Sequence, residues 1–333
     1  MKTKRWKVQP TKEIEPEIIQ EAIKLLKEGE VLAFPTETVY GLGADATKDQ
    51  AVQRIFQAKG RPADNPLIAH VSSKAMLESL IIDKPAYVDK LIDAYSPGPL
   101  TYVLKSNGSC AKGVTAGLST LAVRMPNHPV ALQLINYFDG PIAAPSANTS
   151  GKPSPVTADH VYADLVGKIP ALLDAGPTGV GLESTVIDCT GDLPVILRPG
   201  AITEEEISAV AGGVISAPSS QTRSDQYKHY KPEVPLYLLD QSIDQVKEFV
   251  HQEQVKGNRI GVLGSHSFIK EIEGDDSFSL GEESQEIARN LYAGFRYFKK
   301  ARVDLVICQA FSKEGLGKTI MNRIEKAANK IIS

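Results

Sequence analysis

Cysteine is nearly absent from this chain. Cys110, Cys189 and Cys308 lie far apart, and no C-x-x-C pair occurs. An odd, scattered set supplies neither a disulfide framework nor a zinc site, and it fits a reducing compartment. No apolar run approaches the length of a membrane span. The opening residues, MKTKRWKVQPTKEIEPE, lack the apolar core of a signal peptide, so a cytoplasmic location away from membranes is the expectation. Charge of one sign is lacking too. Lys plus Arg number 37 and Asp plus Glu 40, a net charge of -3, which argues against nucleic-acid binding by bulk positive charge.

Several catalytic signatures are also missing. The six histidines form no H-E-x-x-H, and no serine sits in G-x-S-x-G. Gly317-Lys318-Thr319 looks like the end of a phosphate loop, but Ser312 stands where the first glycine belongs. Gly179 and Gly181 lack the third glycine of a dinucleotide fingerprint, since Ser184 occupies that place. Zinc hydrolysis, serine hydrolysis and hydride transfer therefore fall away, and no metal site is expected from protein side chains.

What is present suffices for two folded blocks. The chain has 333 residues, 42% of them apolar, enough to bury two cores. Between the blocks lies GGVISAPSSQTRSDQYKHYKPEVP, residues 212–235, rich in Ser, Gly, Pro and polar residues. The expected organisation is a domain over 1–211, a linker or lid over 212–235 and a second domain over 236–333. Charge divides around residue 212: 20 Lys/Arg against 24 Asp/Glu before and through it, 17 against 16 after it.

In the first block, Ile18, Ile19, Ala22, Ile23 and Leu26 recur at helical spacing and Gly29 is a plausible stop. A buried strand is expected over 30–34, and a helix capped by Asp49 through Ala58. Further strands are expected at 67–71, 100–104, 121–124, 142–144, 171–173, 185–188 and 195–197, with helices over 128–138 and 157–165. Strands outnumber helices, so a twisted mixed sheet is expected rather than a strict βαβ array. The second block alternates: strand 236–239, helix 242–255, strand 260–263, helix 283–300, strand 304–308, helix 317–331. This predicts a small Rossmann-like α/β domain with parallel pairing.

Four polar loops adjoin short apolar strands, where α/β proteins place ligands. In Phe34-Pro-Thr-Glu-Thr-Val-Tyr-Gly-Leu-Gly43, Thr36 and Thr38 either bind a ligand or close a tight turn. In Lys59-Gly-Arg-Pro-Ala-Asp-Asn-Pro-Leu-Ile-Ala-His70, two cations on a bent backbone suit a polyphosphate, or they only complement a helix end. His70 is a core histidine or a pocket wall. Arg124 closes Ser119-Thr-Leu-Ala-Val-Arg-Met-Pro126 as a buried ion pair or a carboxylate receptor. Ala143-Ala-Pro-Ser-Ala-Asn-Thr-Ser-Gly-Lys-Pro-Ser-Pro155 offers small donors for a nucleotide. Arg198, in Leu197-Arg-Pro-Gly200, ends another apolar strand. Four cations, hydroxyl-rich loops and no nucleophile make an inventory for holding polyanions and reactants in line.

PTETVYGLG (35–43), KGRPADNPLIAH (59–70), SPGPLT (96–101), LAVRMP (121–126), APSANTSGKPSP (144–155), STVID (184–188) and LRPG (197–200) resemble the YrdC/YwlC family of threonylcarbamoyl-AMP synthases. His229-Tyr-Lys-Pro232 and the second block resemble the long, two-domain form, though SSQTRSDQYK stands where the family pattern carries a Pro-Gly pair. The resemblance implies a YrdC-like catalytic domain, and a nucleotidyltransferase that joins L-threonine, bicarbonate or CO2 and ATP into L-threonylcarbamoyl-AMP and pyrophosphate. It implies Mg2+ carried mainly on the ATP phosphates. The product would serve N6-threonylcarbamoyladenosine formation at position 37 of ANN-decoding tRNAs, handed to a downstream tRNA threonylcarbamoyl transferase machinery, with weak or absent direct tRNA binding. Carried across by motif, Thr38, His70, Arg124 and Ser184 should hold threonine. Lys59, Arg61, Asn65, Thr120, Ser146, Asn148, Ser154, Arg198 and Tyr230 should hold ATP, with Lys59 and Arg61 at the reacting phosphate. The linker, through Tyr230, would be a lid.

Three alternatives carry distinct signatures. An RNA-binding module would show salt-steep affinity without ATP turnover. A carbamoyl transferase acting on carbamoyl phosphate would release no pyrophosphate. The second domain alone could be a docking surface through Arg296, Lys299, Lys300 and Arg302, or these could form a solvated helix face.

Overall fold

The computed structural model describes residues 2–216 and 230–333. Its contacts divide the chain into two compact units. The first comprises Met1–Ser150, Ser154–Gly179 and Glu183–Tyr227, and the second comprises Gly151–Pro153, Val180–Leu182 and Lys228–Ser333. Most of the expected 212–235 linker, residues 217–229 with all of SSQTRSDQYK and His229, lies outside the described residues.

The first unit is built on one mixed sheet. Its strands among the described residues are β1 (Lys4–Lys7), β2 (Leu32–Phe34), β3 (Gly41–Asp45), β4 (Ile68–His70), β5 (Leu100–Lys105), β6 (Thr120–Arg124), β7 (Ile142–Ala143), β8 (Ala171–Asp174), β9 (Thr185–Asp188), β10 (Val195–Arg198) and β11 (Ile215–Ser216). They lie in the order β1-β8-β2-β3-β7-β4-β6-β5-β9-β10-β11. The expected mixed sheet is present. Both of its faces are covered, which explains why its strands read as short apolar runs without alternation. Leu32 and Phe34 enter one core cluster with Ile19, Ala22, Leu26 and Leu134, while the flanking Val31 and Ala33 enter a second with Val52, Ile55 and Val123.

The helix Pro16–Lys27 starts with proline at its first position, has Glu17 in its first turn and carries Lys24 and Lys27 in its last. The helix Asp49–Lys59 departs from expectation at its start. Lys48 is the N-cap, and Asp49, the first helical residue, accepts instead from Gly113 N at 3.2 Å. Its end is set by Gly60, left-handed at φ 62°, a conformation that favours glycine. Lys59 is therefore the last helical residue, and Arg61 lies beyond the turn.

Among its described residues the second unit holds five parallel strands: β12 (Leu236–Leu239), β13 (Ile260–Gly264), β14 (Asp276–Ser279), β15 (Leu305–Gln309) and β16 (Lys330–Ile332), in the order β14-β13-β15-β12-β16. The expected parallel α/β pattern is present, with two corrections. The helix expected over 283–300 runs Ser284–Tyr297, and the last helix stops at Ala327 rather than 331. Asn329 causes the second change. Its N–H donates to Leu236 O at 2.7 Å and its Oδ1 accepts from Leu236 N at 3.0 Å, turning Lys330 and the β-branched Ile331 and Ile332 into a strand beside β12.

Candidate active site

The candidate site of the first unit lies along one end of its sheet. β4 and β6 run parallel, with His70 paired to Arg124 at their last positions. β5 is antiparallel to β6, with Tyr102 opposite Val123, so the next pair sets Thr101 opposite Arg124. β9 is parallel to β5, Leu100 opposite Thr185, and β10 returns antiparallel with Arg198 opposite Val186. His70, Arg124, Thr101, Ser184 and Arg198 thus come from the same end of five adjacent strands.

Hydrogen bonds tie this row together. Arg124 is 4% exposed. Its Nη1 donates to Thr38 Oγ1 at 3.0 Å and its Nε to Gly98 O at 3.1 Å, Gly98 being placed after a cis Ser96–Pro97 peptide. Its Nη2 lies 2.6 Å from Glu37 Oε1, off the N–H direction, so the contact is an ion pair without a hydrogen bond. Ser184 shares a hydrogen bond of 2.8 Å with Thr101 Oγ1, and Arg198 Nη2 donates to Ser184 O at 2.8 Å. Thr36 closes the turn expected of it, donating to Val39 O at 2.6 Å, and its hydroxyl meets that of Thr38 at 2.9 Å.

His70 is buried, its Nδ1 3.1 Å from Ile68 O and its ring edge-on to Phe34. Burial, with the Arg124 charge adding to it, pushes the imidazole down to about 3, so it is neutral near pH 7.

A second group forms where the 144–155 loop crosses the first loop. Leu42 N donates to Pro145 O and Ala147 N to Tyr40 O. Against this seam the buried Lys59 reaches over, Nζ donating to Ser146 O and, at 2.6 Å, to Asn148 O. The K-x-R and S-x-N elements therefore meet directly. Ser154, on the same loop, donates to Glu183 Oε1 at 2.6 Å.

Three further expected ligand residues make the following local contacts. Arg61 Nη2 donates to Pro66 O at 3.4 Å, within the turn that also buries Asn65. Thr120 opens β6, four residues and roughly 13 Å from Arg124. The β4–β6 register, continued two residues back, sets it opposite Pro66. Tyr230 is a buried member of the second unit, left-handed at φ 64°, stacked on Tyr292 with ring centroids 5.3 Å apart and with Arg323 over its face. Two of the four expected docking cations are engaged within that unit, Lys299 with Glu233 and Arg296 with Pro153 O.

Glu37, Thr101 and Gly98 O are site groups that the sequence reading did not single out. Each lay in a motif that the sequence offered: Glu37 as an acidic residue between two threonines, Gly98 and Thr101 within SPGPLT.

The fold and the site define a YrdC-type α/β protein. A family model named Sua5_yciO_yrdC, described as Telomere recombination, matches residues 24–200, and one described as Threonylcarbamoyl-AMP synthase, C-terminal domain, matches residues 202–329. The threonylcarbamoyl-AMP synthase of Bacillus subtilis (strain 168) is 45% identical over 341 residues, 98% of each chain. That of Pyrococcus abyssi is 44% identical over 93% of this chain and 94% of its own. The crystal structure of P. abyssi Sua5 complexed with L-threonine matches with a TM-score of 0.93 at 42% identity, covering 99% of both chains. This chain belongs to the threonylcarbamoyl-AMP synthase family. Among the described residues no helix is long and apolar enough to cross a membrane.

Proposed function

We propose that this protein is an L-threonylcarbamoyladenylate synthase, a nucleotidyltransferase that condenses L-threonine, bicarbonate or CO2 and ATP into L-threonylcarbamoyl-AMP and pyrophosphate. One observation carries the proposal. Thr38, His70, Arg124 and Ser184 converge on one sheet end, in a chain 42% identical over its length to a protein solved with L-threonine.

In this reading Arg124, held by Thr38 and Gly98 O, receives the threonine carboxylate. Neutral His70 and the Ser184 hydroxyl complete the amino-acid site. The threonine amine captures CO2 as a carbamate, and a carbamate oxygen attacks the α-phosphorus of ATP as pyrophosphate leaves. Lys59 and Arg61 stabilise the charge that develops on phosphorus and on the leaving group. Asn65, Thr120, Ser146, Asn148, Ser154 and Arg198 hold the nucleotide.

Lys59, Arg61, Asn65 and Asn148 are cations and amides, a donor set suited to phosphates rather than to a metal. Magnesium therefore enters on the ATP oxygens, its usual habit, and supplies charge neutralisation there. The product would serve N6-threonylcarbamoyladenosine formation at position 37 of ANN-decoding tRNAs, passing to a downstream transferase in the same compartment, taken as the cytoplasm.

The test is pyrophosphate release from ATP with magnesium, each of L-threonine and bicarbonate omitted in turn. Release that requires all three substrates is expected. Release indifferent to threonine, in protein that binds ATP, sinks the proposal.

A further inference from the structure

Among the described residues Glu37 is the acidic side chain paired with Arg124, and its oxygens accept no aligned hydrogen bond. Both carboxylate oxygens are buried, and neither accepts a hydrogen bond. Arg124 Nη2, 2.6 Å from Oε1, donates none either. A buried carboxylate ordinarily collects several donors, and a structural Arg–Glu pair ordinarily closes with aligned, bidentate bonds. Here the guanidinium spends its aligned bonds on Thr38 and Gly98 O and meets Glu37 at its remaining nitrogen as an ion pair at 2.6 Å. Thr178, another buried side chain of this unit, also has an unbonded hydroxyl. The field of Glu37 is felt locally: burial lowers the His128 imidazole, and the Glu37 charge pulls it the other way.

We infer that Glu37 sets the specificity of the amino-acid site, making it select a zwitterion over a plain carboxylate. The inference rests on the threonine reading of the site. Arg124 alone would favour any carboxylate. With neutral His70 on one side and Glu37 touching the guanidinium, the Arg124–Glu37 pair sums to zero charge and has a positive and a negative end. An α-amino acid has the same two charges a few ångström apart, so it pairs with both ends. A carboxylate lacking the ammonium pairs with Arg124 and is repelled by Glu37. The effect acts through space and needs no contact between Glu37 and the ligand. At short range in a partly buried site, one unit charge shifts binding by about tenfold or more.

The experiment is calorimetric titration of the full chain, without ATP, with L-threonine and with 3-hydroxybutyrate, which is threonine without its amino group. The wild type should prefer threonine by at least about tenfold. In Glu37→Gln, which keeps shape and removes charge, 3-hydroxybutyrate should tighten relative to threonine, and the preference should shrink by about tenfold. If Gln impairs folding, Glu37→Asp, which draws the charge back from Arg124, should shrink it in part. An unchanged preference in a folded variant overturns the inference, as does a wild type that binds both ligands equally. Failure of the wild type to bind threonine at all would instead remove the amino-acid reading of the site.

Discussion

Arg124 and Thr38 are joined by a 3.0 Å hydrogen bond across 86 positions of sequence, the strand end supplying the charge and the loop the hydroxyl that aims it. Thr38→Val keeps the shape and removes the acceptor. A buried bond to a charged group contributes about 1.5–3 kcal/mol, so threonine affinity should fall by roughly tenfold to a hundredfold. ATP affinity should hardly move. A parallel loss of both would mean that the loop, and not the aim of Arg124, had failed.

Lys59→Met keeps the long apolar stem and removes the ammonium. The carbonyls of Ser146 and Asn148 then lose their donor, at a cost of about 1–3 kcal/mol in unfolding free energy. Pyrophosphate release should fall at least about a hundredfold if Lys59 stabilises the reacting phosphate. A variant destabilised by this amount but with normal turnover would confine Lys59 to joining the two loops.

His70 makes stability depend on pH with a known sign. Its folded form stays neutral down to about 3, while the unfolded chain takes up a proton near 6.5. Between those values the unfolded state binds more protons, so stability is full above 6.5 and is lost as pH falls. From pH 7 to 5 the loss from this group is about 2 kcal/mol. Urea unfolding of the wild type and His70→Gln at both pH values should show that difference. Parallel pH profiles would place the histidine in a hydrated setting instead.

Gly200 follows the strand that ends at Arg198, and a Cβ there would lie 2.2 Å from Thr185 N and 2.3 Å from the Ser184 carbonyl carbon. Those are backbone atoms and cannot turn aside. Gly200→Ala should therefore separate β10 from β9, cost about 1–3 kcal/mol of stability and break the Arg198–Ser184 contact. Thermal unfolding together with threonine titration checks both effects. Wild-type behaviour in both would mean that the Leu197–Gly200 turn shifts freely.

The loops that build the site were legible because each joins an apolar strand to residues that surface solubility does not require. Lys59, Arg61, Arg124 and Arg198 stood out as cations ending helices or apolar strands. Elements were missed where that contrast fails. β1 is KRWK, a charged edge strand held by pairing Lys4–Lys7 with Ala171–Asp174. β3 is GLGAD, whose glycines read as loop, yet Leu32–Phe34 and β7 flank it on both sides. β14 and β16 likewise exist through their neighbours, since their own residues bury little.

The amino-acid sequence by itself determined the strand and helix types of the central elements, the parallel character of the second unit and the residue kinds at each loop. Those follow from local periodicity, caps and turn chemistry, which act over a few residues. Only the tertiary structure decided which loops share a wall. A strand order of β7-β4-β6-β5-β9-β10 depends on pairings between segments up to about a hundred residues apart, which no local pattern encodes. The same long-range pairing turned Arg124 from an isolated charge into a guanidinium shared by Thr38, Gly98 and Glu37, and put Tyr230 against Tyr292.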